Sequence, residues 1–450
     1  LRSKTHLLTQ PIPLLLKQLA IPASTGMFFN TMYNVVDTFY AGLISTQAIA
    51  ALSLSFMLFF LIVGIGYGFS SAITALIGNS FGKKRYKLAS MYAHKGVLFI
   101  PFMGIVIAVI GFLFAPTMFK LLGASGTYLQ DALNYINTIF LGIAFFMANF
   151  SLNAILVATG DTKSYRNTLI FGFFANIALN PLFIYGFLFI PAMGIKGIAL
   201  ATVLIQAVNM LYLAKKVLKS KLIHFERWDY FLPHKTIYSH IFKQGLPASL
   251  NMFAMAIGSI IVIYFVSSYG VKAVAGFGIG FRVEQIMLLP ALGISTAVLT
   301  LVSNNYGAKQ YDRVALILKT AIKYGFMVCL FGMTFLFFFG DFIVKLFDSD
   351  PKVVAFSIEY LLIEIWIFFA FLTLFICVST LQGIKRPKMI FYVGVYRQII
   401  GKLLVGLIIV HYLQLDIIYF WIGLLIMIYS AALFLFFYTH KTLQQLQIKL

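Results

Sequence analysis

About twelve long apolar runs, separated by short polar loops, limit what this chain can fold into more than any other feature. A bilayer core about 30 Å thick is crossed by roughly 20 apolar residues in helical form. Runs of that length fall at 15–42, 48–77, 90–114, 130–157, 165–190, 196–214, 244–267, 273–302, 317–340, 355–381, 389–411 and 416–438. Within lipid the backbone must satisfy its own polar groups, so only helices and closed barrels span. Barrel strands alternate in polarity over about ten residues, and no such pattern recurs here. Charged residues make up 10% of the chain, against about 25% in soluble domains. The expected fold is an all-α polytopic membrane protein with twelve transmembrane helices.

The net charge of +21 would suit a nucleic-acid binder, but its distribution argues otherwise. Basic residues collect in every second loop: Lys83, Lys84, Arg85 and Lys87; Lys163 and Arg166; Lys215, Lys216, Lys219, Lys221, Arg227 and Lys235; Lys309 and Arg313; Lys385, Arg386 and Lys388. The alternate loops carry little, for example Lys120, Lys196 and Lys272. This is the positive-inside pattern, which places both termini in the cytoplasm of a cell that carries the chain in its cytoplasmic membrane. The basic loops suit an anionic lipid surface, and no nucleic-acid partner is expected. The first apolar run reads as an uncleaved insertion signal.

Catalytic signatures are not found. Cys329 and Cys377 lie inside apolar runs and read as packing residues. The histidines are scattered singly near loops and helix ends, and HExxH, GxSxG and P-loop patterns do not occur. The chain is expected to be neither an enzyme nor a direct user of ATP, and to need no cofactor beyond a coupling ion.

An internal repeat organises the sequence. AIAALSLSF at 48–56 matches AVAGFGIGF at 273–281, GNSFGKKRY at 78–86 matches SNNYGAKQY at 303–311, and Pro22 and Pro247 stand 225 apart (247 − 22) in KQLAIPAS and KQGLPAS. ATGDTK at 158–163 and LQGIKRPK at 381–388 form a looser fourth match. The reading is an N-terminal lobe at 1–214, a charged cytoplasmic linker at 215–242 and a C-terminal lobe at 243–450. Each lobe has an even number of crossings, so the repeat is parallel, related by an axis along the membrane normal. Rocking of such halves is the logic of alternating access.

Asp37 is the sole acidic residue in the first quarter of the chain, and it lies inside an apolar run. A carboxylate at membrane depth costs roughly 2.5–3.5 kcal/mol on insertion scales, so one retained there is a candidate for work on an ion or substrate. Tyr33 and Asp37 are four apart, as are Asn176 and Asn180, and Asn30 and Asn34, so each pair shares a helical face. Amides beside one acid supply the hydrogen bonds or oxygen ligands that a buried charge needs. Na⁺ at Asp37, Asn176 and Asn180 is one candidate, and a proton on Asp37 is the other. Pro181 frees backbone groups beside Asn180 and would bend its helix. In the second lobe, Glu284 and Glu364 are candidates for substrate or ion contact, whereas Glu359 is expected in solvent. Arg397 and Lys402 lie in the eleventh run, where pairing with these acids is an option.

Over its whole length the chain resembles the multidrug and toxic compound extrusion (MATE) transporters, in particular their bacterial DinF-like branch. The resemblance rests on IPAS and NTMYNVVDTFYAG in the first run, GNSFGKKRY, NAILVATGDTK closing the fourth, NIALNPLFIYG in the fifth and GIALATV in the sixth. It implies proton- or sodium-driven export of amphipathic, often cationic drugs, with membrane lipids as the other partners and the chain acting as a monomer. It also implies an ion-binding cluster of Tyr33, Asp37, Asn176, Asn180 and Thr202, with Asn149 or Asn153 as further members, and the four-residue spacing sets Asn34 beside it. Many relatives carry an aspartate where this chain has Asn180, which removes a second carboxylate. With Asp37 alone, exchange of one proton for a monovalent cation is electroneutral. Two rivals are a lipid-linked oligosaccharide flippase of the same superfamily, which would want more intramembrane Arg and Lys, and a non-transporting membrane scaffold.

Overall fold

A computed structural model of the chain describes residues 6–223, 230, 232 and 234–448; Arg227 lies outside them. Almost everything described is helical. After a single short turn of helix, α1 (His6–Thr9), come α2 (Ile12–Ile44), α3 (Thr46–Gly82), α4 (Tyr86–Leu121), α5 (Gly126–Leu141), α6 (Ile143–Ala158), α7 (Lys163–Tyr185) and α8 (Ile195–Lys219). Then follow α9 (Lys235–Ser267), α10 (Val271–Gly307), α11 (Tyr311–Lys345), α12 (Pro351–Gly383), α13 (Lys388–Tyr412) and α14 (Ile417–Ile448). Among the described residues the sole β feature is an isolated bridge between Phe187 and Ile190. Among the described residues eleven helices are long and apolar enough to cross a membrane, or twelve spans if α5 and α6 form one.

The fourth apolar run is where the structure departs from an unbroken helix. α5 and α6 meet at an angle of 50°, with Gly142 between them. A Cβ on Gly142 would stand 2.4 Å from Val203 Cγ2 of α8, so the neighbouring helix packs directly against the bend. The fifth run is shorter than its apolar stretch, because α7 ends at Tyr185 and Gly186 takes φ +78°. Pro181 stays inside α7 without breaking it. In the other direction, α9 begins at Lys235, ahead of the apolar run, because Ile237 and Ile241 bury an amphipathic first face.

The repeat is visible in local geometry. α3 ends with Lys84 at φ +57°, Lys83 N bonded to Asn79 O at 3.1 Å and Arg85 N to Ser80 O at 2.9 Å. α10 ends with Lys309 at φ +61°, Ala308 N bonded to Asn304 O at 3.1 Å and Gln310 N to Asn305 O at 3.0 Å. Both are Schellman-type stops, which satisfy the last carbonyls of a helix through one left-handed residue. Other starts use side chains, as where Ser45 Oγ accepts from Ala48 N at 3.0 Å.

The chain divides into two compact units. One contains Thr25–Ser249 and the other contains His6–Ser24 with the described residues from Leu250 on, so the division falls just after Pro22 in α2 and Pro247 in α9. Within the first unit, Phe119, Ile136, Ile139, Met147 and Ile155 are fully buried, and in the second, Leu7, Leu15, Phe420 and Leu435. Both free cysteines lie in helices, with Cys377 buried and Cys329 half-buried. Many aromatic side chains, such as Phe102, Phe114, Phe331 and Phe338, are exposed, as expected of helices whose outer faces meet lipid rather than water. Two expectations about polar residues need correcting. His94 is buried inside α4, with Nδ1 2.7 Å from Ser90 O, and Glu359 is half-buried rather than in solvent.

Candidate functional site

α2, α7 and α8 bring together the polar residues of the first unit. Asp37 is buried, and its Oδ1 accepts from Asn176 Nδ2 at 2.8 Å and from Asn180 Nδ2 at 3.0 Å. The four-residue spacing on α7 puts both amides on the face turned to α2, and Asn180 Nδ2 also lies 3.2 Å from Asn176 Oδ1. One turn before Asp37, Tyr33 donates its hydroxyl to Thr202 Oγ1 of α8 at 2.9 Å. Thr202 also approaches the Asp37 carboxylate. Asn176 and Asn180 are fully buried, and the amide oxygen of Asn180 has no hydrogen-bond partner. A Cβ on Gly172, one turn before Asn176 on α7, would meet Ile205 Cγ2 of α8 at 3.3 Å and the Tyr33 ring at an ordinary 3.7 Å.

The remaining first-unit candidates are not joined to this cluster by a hydrogen bond. Asn34 turns back along α2 and donates to Asn30 O at 2.9 Å. Asn149 is buried and donates to the backbone and side-chain oxygens of Gln206 at 2.9 and 2.7 Å. Asn153 is half-buried, with its Oδ1 unpartnered. Tyr40, which the sequence did not single out, reaches across to Ile177 O at 3.1 Å and ties α2 to α7 one turn beyond Asp37.

In the second unit Glu284 of α10 and Glu364 of α12 are both buried. Arg282 is exposed, as its two-residue offset from Glu284 requires. Tyr360 donates a hydrogen bond to Glu284 Oε2, a partner that nothing in the sequence marked, since Tyr is common among these helices. Arg397 of α13 is buried within electrostatic reach of Glu284, and Gln398 next to it in the chain is buried as well. Among the described residues no three His, Cys, Asp or Glu side chains group to hold a metal ion. Asp37 instead meets two amide N–H donors, and Asn180 Oδ1 is the one amide oxygen of the pair left without a partner.

The MatE family model matches twice, at residues 22–182 and 247–407, so the two matches begin and end 225 residues apart. A probable multidrug resistance protein of Bacillus subtilis, YoeA, is 28% identical over 388 residues, covering 84% of this chain and 83% of that protein. The probable multidrug resistance protein NorM of Thermotoga maritima is 26% identical over 456 residues, covering 97% and 95%. A solved MOP superfamily transporter from Pyrococcus furiosus shares the fold, with a TM-score of 0.92 at 24% identity over 99% of this chain and 98% of that one. With both halves matched by one family model, the chain belongs to the MatE family of multidrug and toxic compound extrusion transporters.

Proposed function

We propose that this transporter exports amphipathic, often cationic compounds in exchange for H⁺ or Na⁺ taken up at Asp37. One observation carries the reading: Asp37 is buried in a membrane-spanning helix, yet among the described residues no Lys, Arg or His nitrogen comes within 4.0 Å of it. Its partners are neutral amides. An intramembrane carboxylate without a basic partner has to be neutralised by something mobile. The unpartnered Asn180 Oδ1 offers one further oxygen to a cation. Substrate class follows the relatives named as multidrug resistance proteins.

The duplicated halves support alternating access as the transport mode. The loop-charge pattern supports a cytoplasmic-membrane location with both termini inside, and the chain serves as a monomer. The experiment is ion release from purified protein on addition of a lipophilic dye cation in weakly buffered solution. Acidification that disappears in Asp37→Asn identifies proton exchange, and dye binding weakened by added Na⁺ without acidification identifies sodium. Dye binding that releases no proton and ignores Na⁺ contradicts the reading.

A further inference from the structure

Between α10, α11 and α12 the second unit holds a cavity of about 310 Å³, at the lower end of the roughly 300–1,000 Å³ typical of small-molecule sites. Pro290 stands near the middle of α10, Cys329 and Gly332 near the middle of α11, and Phe368 near the middle of α12. The cavity therefore lies at membrane depth. Two glycines of α11 shape it. A Cβ on Gly325 would lie 2.6 Å from Leu372 Cδ2, so α11 closes onto α12 there, whereas a Cβ on Gly332 would meet nothing nearer than Met287 Sδ at 3.8 Å and leaves space. Phe331 and Phe335 line the cavity and are also exposed on the outer face of α11. A molecule dissolved in the bilayer would enter on that side.

The chemistry of the wall is narrow. Among the described residues the lining includes no charged side chain, amide or hydroxyl. A charged ligand would stand at membrane depth without a counter-charge, which excludes it. The Cys329 thiol already donates to Phe368 O at 3.8 Å. One acceptor remains. Proline has no N–H, so Pro290 leaves the Ile286 carbonyl, four residues back, without its helical donor. Ile286 and Pro290 both line the cavity, and among the described residues no side chain donates to that carbonyl. At membrane depth no bulk water supplies the missing donor.

We propose that this cavity is a binding site for a compact, uncharged lipophilic molecule with one hydroxyl, a phenol or an alcohol, which enters from the bilayer and donates its hydroxyl to the Ile286 carbonyl. The apolar walls take the body of the molecule, and the single open acceptor fixes its orientation. An engineered apolar cavity of about 150 Å³ stays dry and takes benzene, so one of about twice that volume takes a substituted ring but not a whole diacyl lipid. The site lies in the second unit and the Asp37 cluster in the first. Its ligand carries no charge, unlike the cations of the export reading.

The test is thermal denaturation of the full-length purified protein in detergent with increasing para-hexylphenol or para-hexylanisole. The anisole has a methyl group in place of the hydroxyl hydrogen. The expected result is a raised midpoint, with the phenol reaching half its maximal effect at about one tenth of the anisole concentration, the worth of one hydrogen bond to an apolar wall. Pro290→Ala returns an N–H to the Ile286 carbonyl and brings the two compounds to within about twofold. Gly332→Leu fills the cavity and abolishes the rise with both. Each compound partitions into detergent to the same extent whichever variant is present, so a change in their ratio between variants reads the site. Dioctanoylglycerol is expected to leave the midpoint unchanged; a rise matching that of the phenol assigns the site to a membrane lipid and overturns the compact ligand. Equal potency of phenol and anisole in the unaltered protein, or no rise with either, overturns the proposal and needs no variant to fold. So does a phenol preference that survives in folded Pro290→Ala. Because no ion gradient is involved, these results stand apart from any failure of ion-coupled efflux.

Discussion

Asn180 meets Asp37 through one hydrogen bond, Nδ2 to Oδ1 at 3.0 Å, and its own amide oxygen is left buried without a partner. Asp37 is thus the one acid of this cluster, backed by amides that carry no charge. Under the proposed exchange at Asp37, that one acid sets the charge moved per cycle. One proton exchanged for one monovalent cation transfers no net charge, so a membrane potential adds no driving force.

A second acid at this place changes the count. In Asn180→Asp, two protons exchanged for one monovalent cation move one net charge, and each charge is worth about 2.3 kcal/mol per 100 mV. Efflux by the native protein is expected to be insensitive to a valinomycin-imposed potassium potential at zero pH gradient, and efflux by Asn180→Asp is expected to respond to it. An equal response in both proteins contradicts the one-carboxylate account.

The repeat also produces a reciprocal packing contact. A Cβ on Gly68 would stand 2.2 Å from Ser249 Oγ and 2.5 Å from Ser249 N, and one on Gly293 would stand 1.9 Å from Ser24 Oγ and 2.7 Å from Ala20 O. Gly68 and Gly293 are 225 apart, as are Ser24 and Ser249. Backbone lies in the way in both places, so Gly68→Ala and Gly293→Ala should each cost about 1–3 kcal/mol, the usual penalty of overpacking. Gly278→Ala is the control, because nothing lies within 4 Å of its Cβ position. Thermal denaturation in detergent should lower the midpoint for the first two and leave or raise it for the third.

One pH effect is expected in the loop before α12. Lys272 Nζ contacts Asp350 Oδ2 at 2.5 Å and Lys352 N donates to Asp350 Oδ1 at 2.9 Å, which hold the Asp350 carboxyl below its ordinary range. A carboxyl lowered by folding contributes stability above its unfolded pKa, and that contribution is lost as pH falls through the lower folded value. The gap in thermal midpoint between the native protein and Asp350→Asn should therefore be present at about pH 6 and shrink as pH falls below the ordinary aspartate pKa of about 3.9. A gap that widens on acidification contradicts this assignment.

The spans were legible because lipid demands about 20 apolar residues whatever their order. Hydropathy reports membrane depth and not helical continuity, so it missed the bend at Gly142, which depends on Val203 from a helix far along the chain. It likewise missed the early start of α9, whose first turns are amphipathic. In the site, four-residue spacing predicted which face Asn176 and Asn180 share, and it could not say that Asn34 bonds its own helix. Tyr360 gave no signal because its role is set by the position of Glu284 on another helix. Arg397 and Lys402 stood out as charges in an apolar run, but the wide turn at Tyr396–Ile400 leaves no mark in the residue pattern.

The account's central claim is that Asp37 couples the ion to the substrate. Its most direct test is dye-cation efflux from proteoliposomes under an imposed pH or Na⁺ gradient, comparing the native protein with Asp37→Asn after both are shown to be folded and to bind dye. The expected result is efflux driven by one of the two gradients in the native protein and none above leak in Asp37→Asn. Gradient-driven efflux that persists at the native rate in Asp37→Asn would contradict the claim.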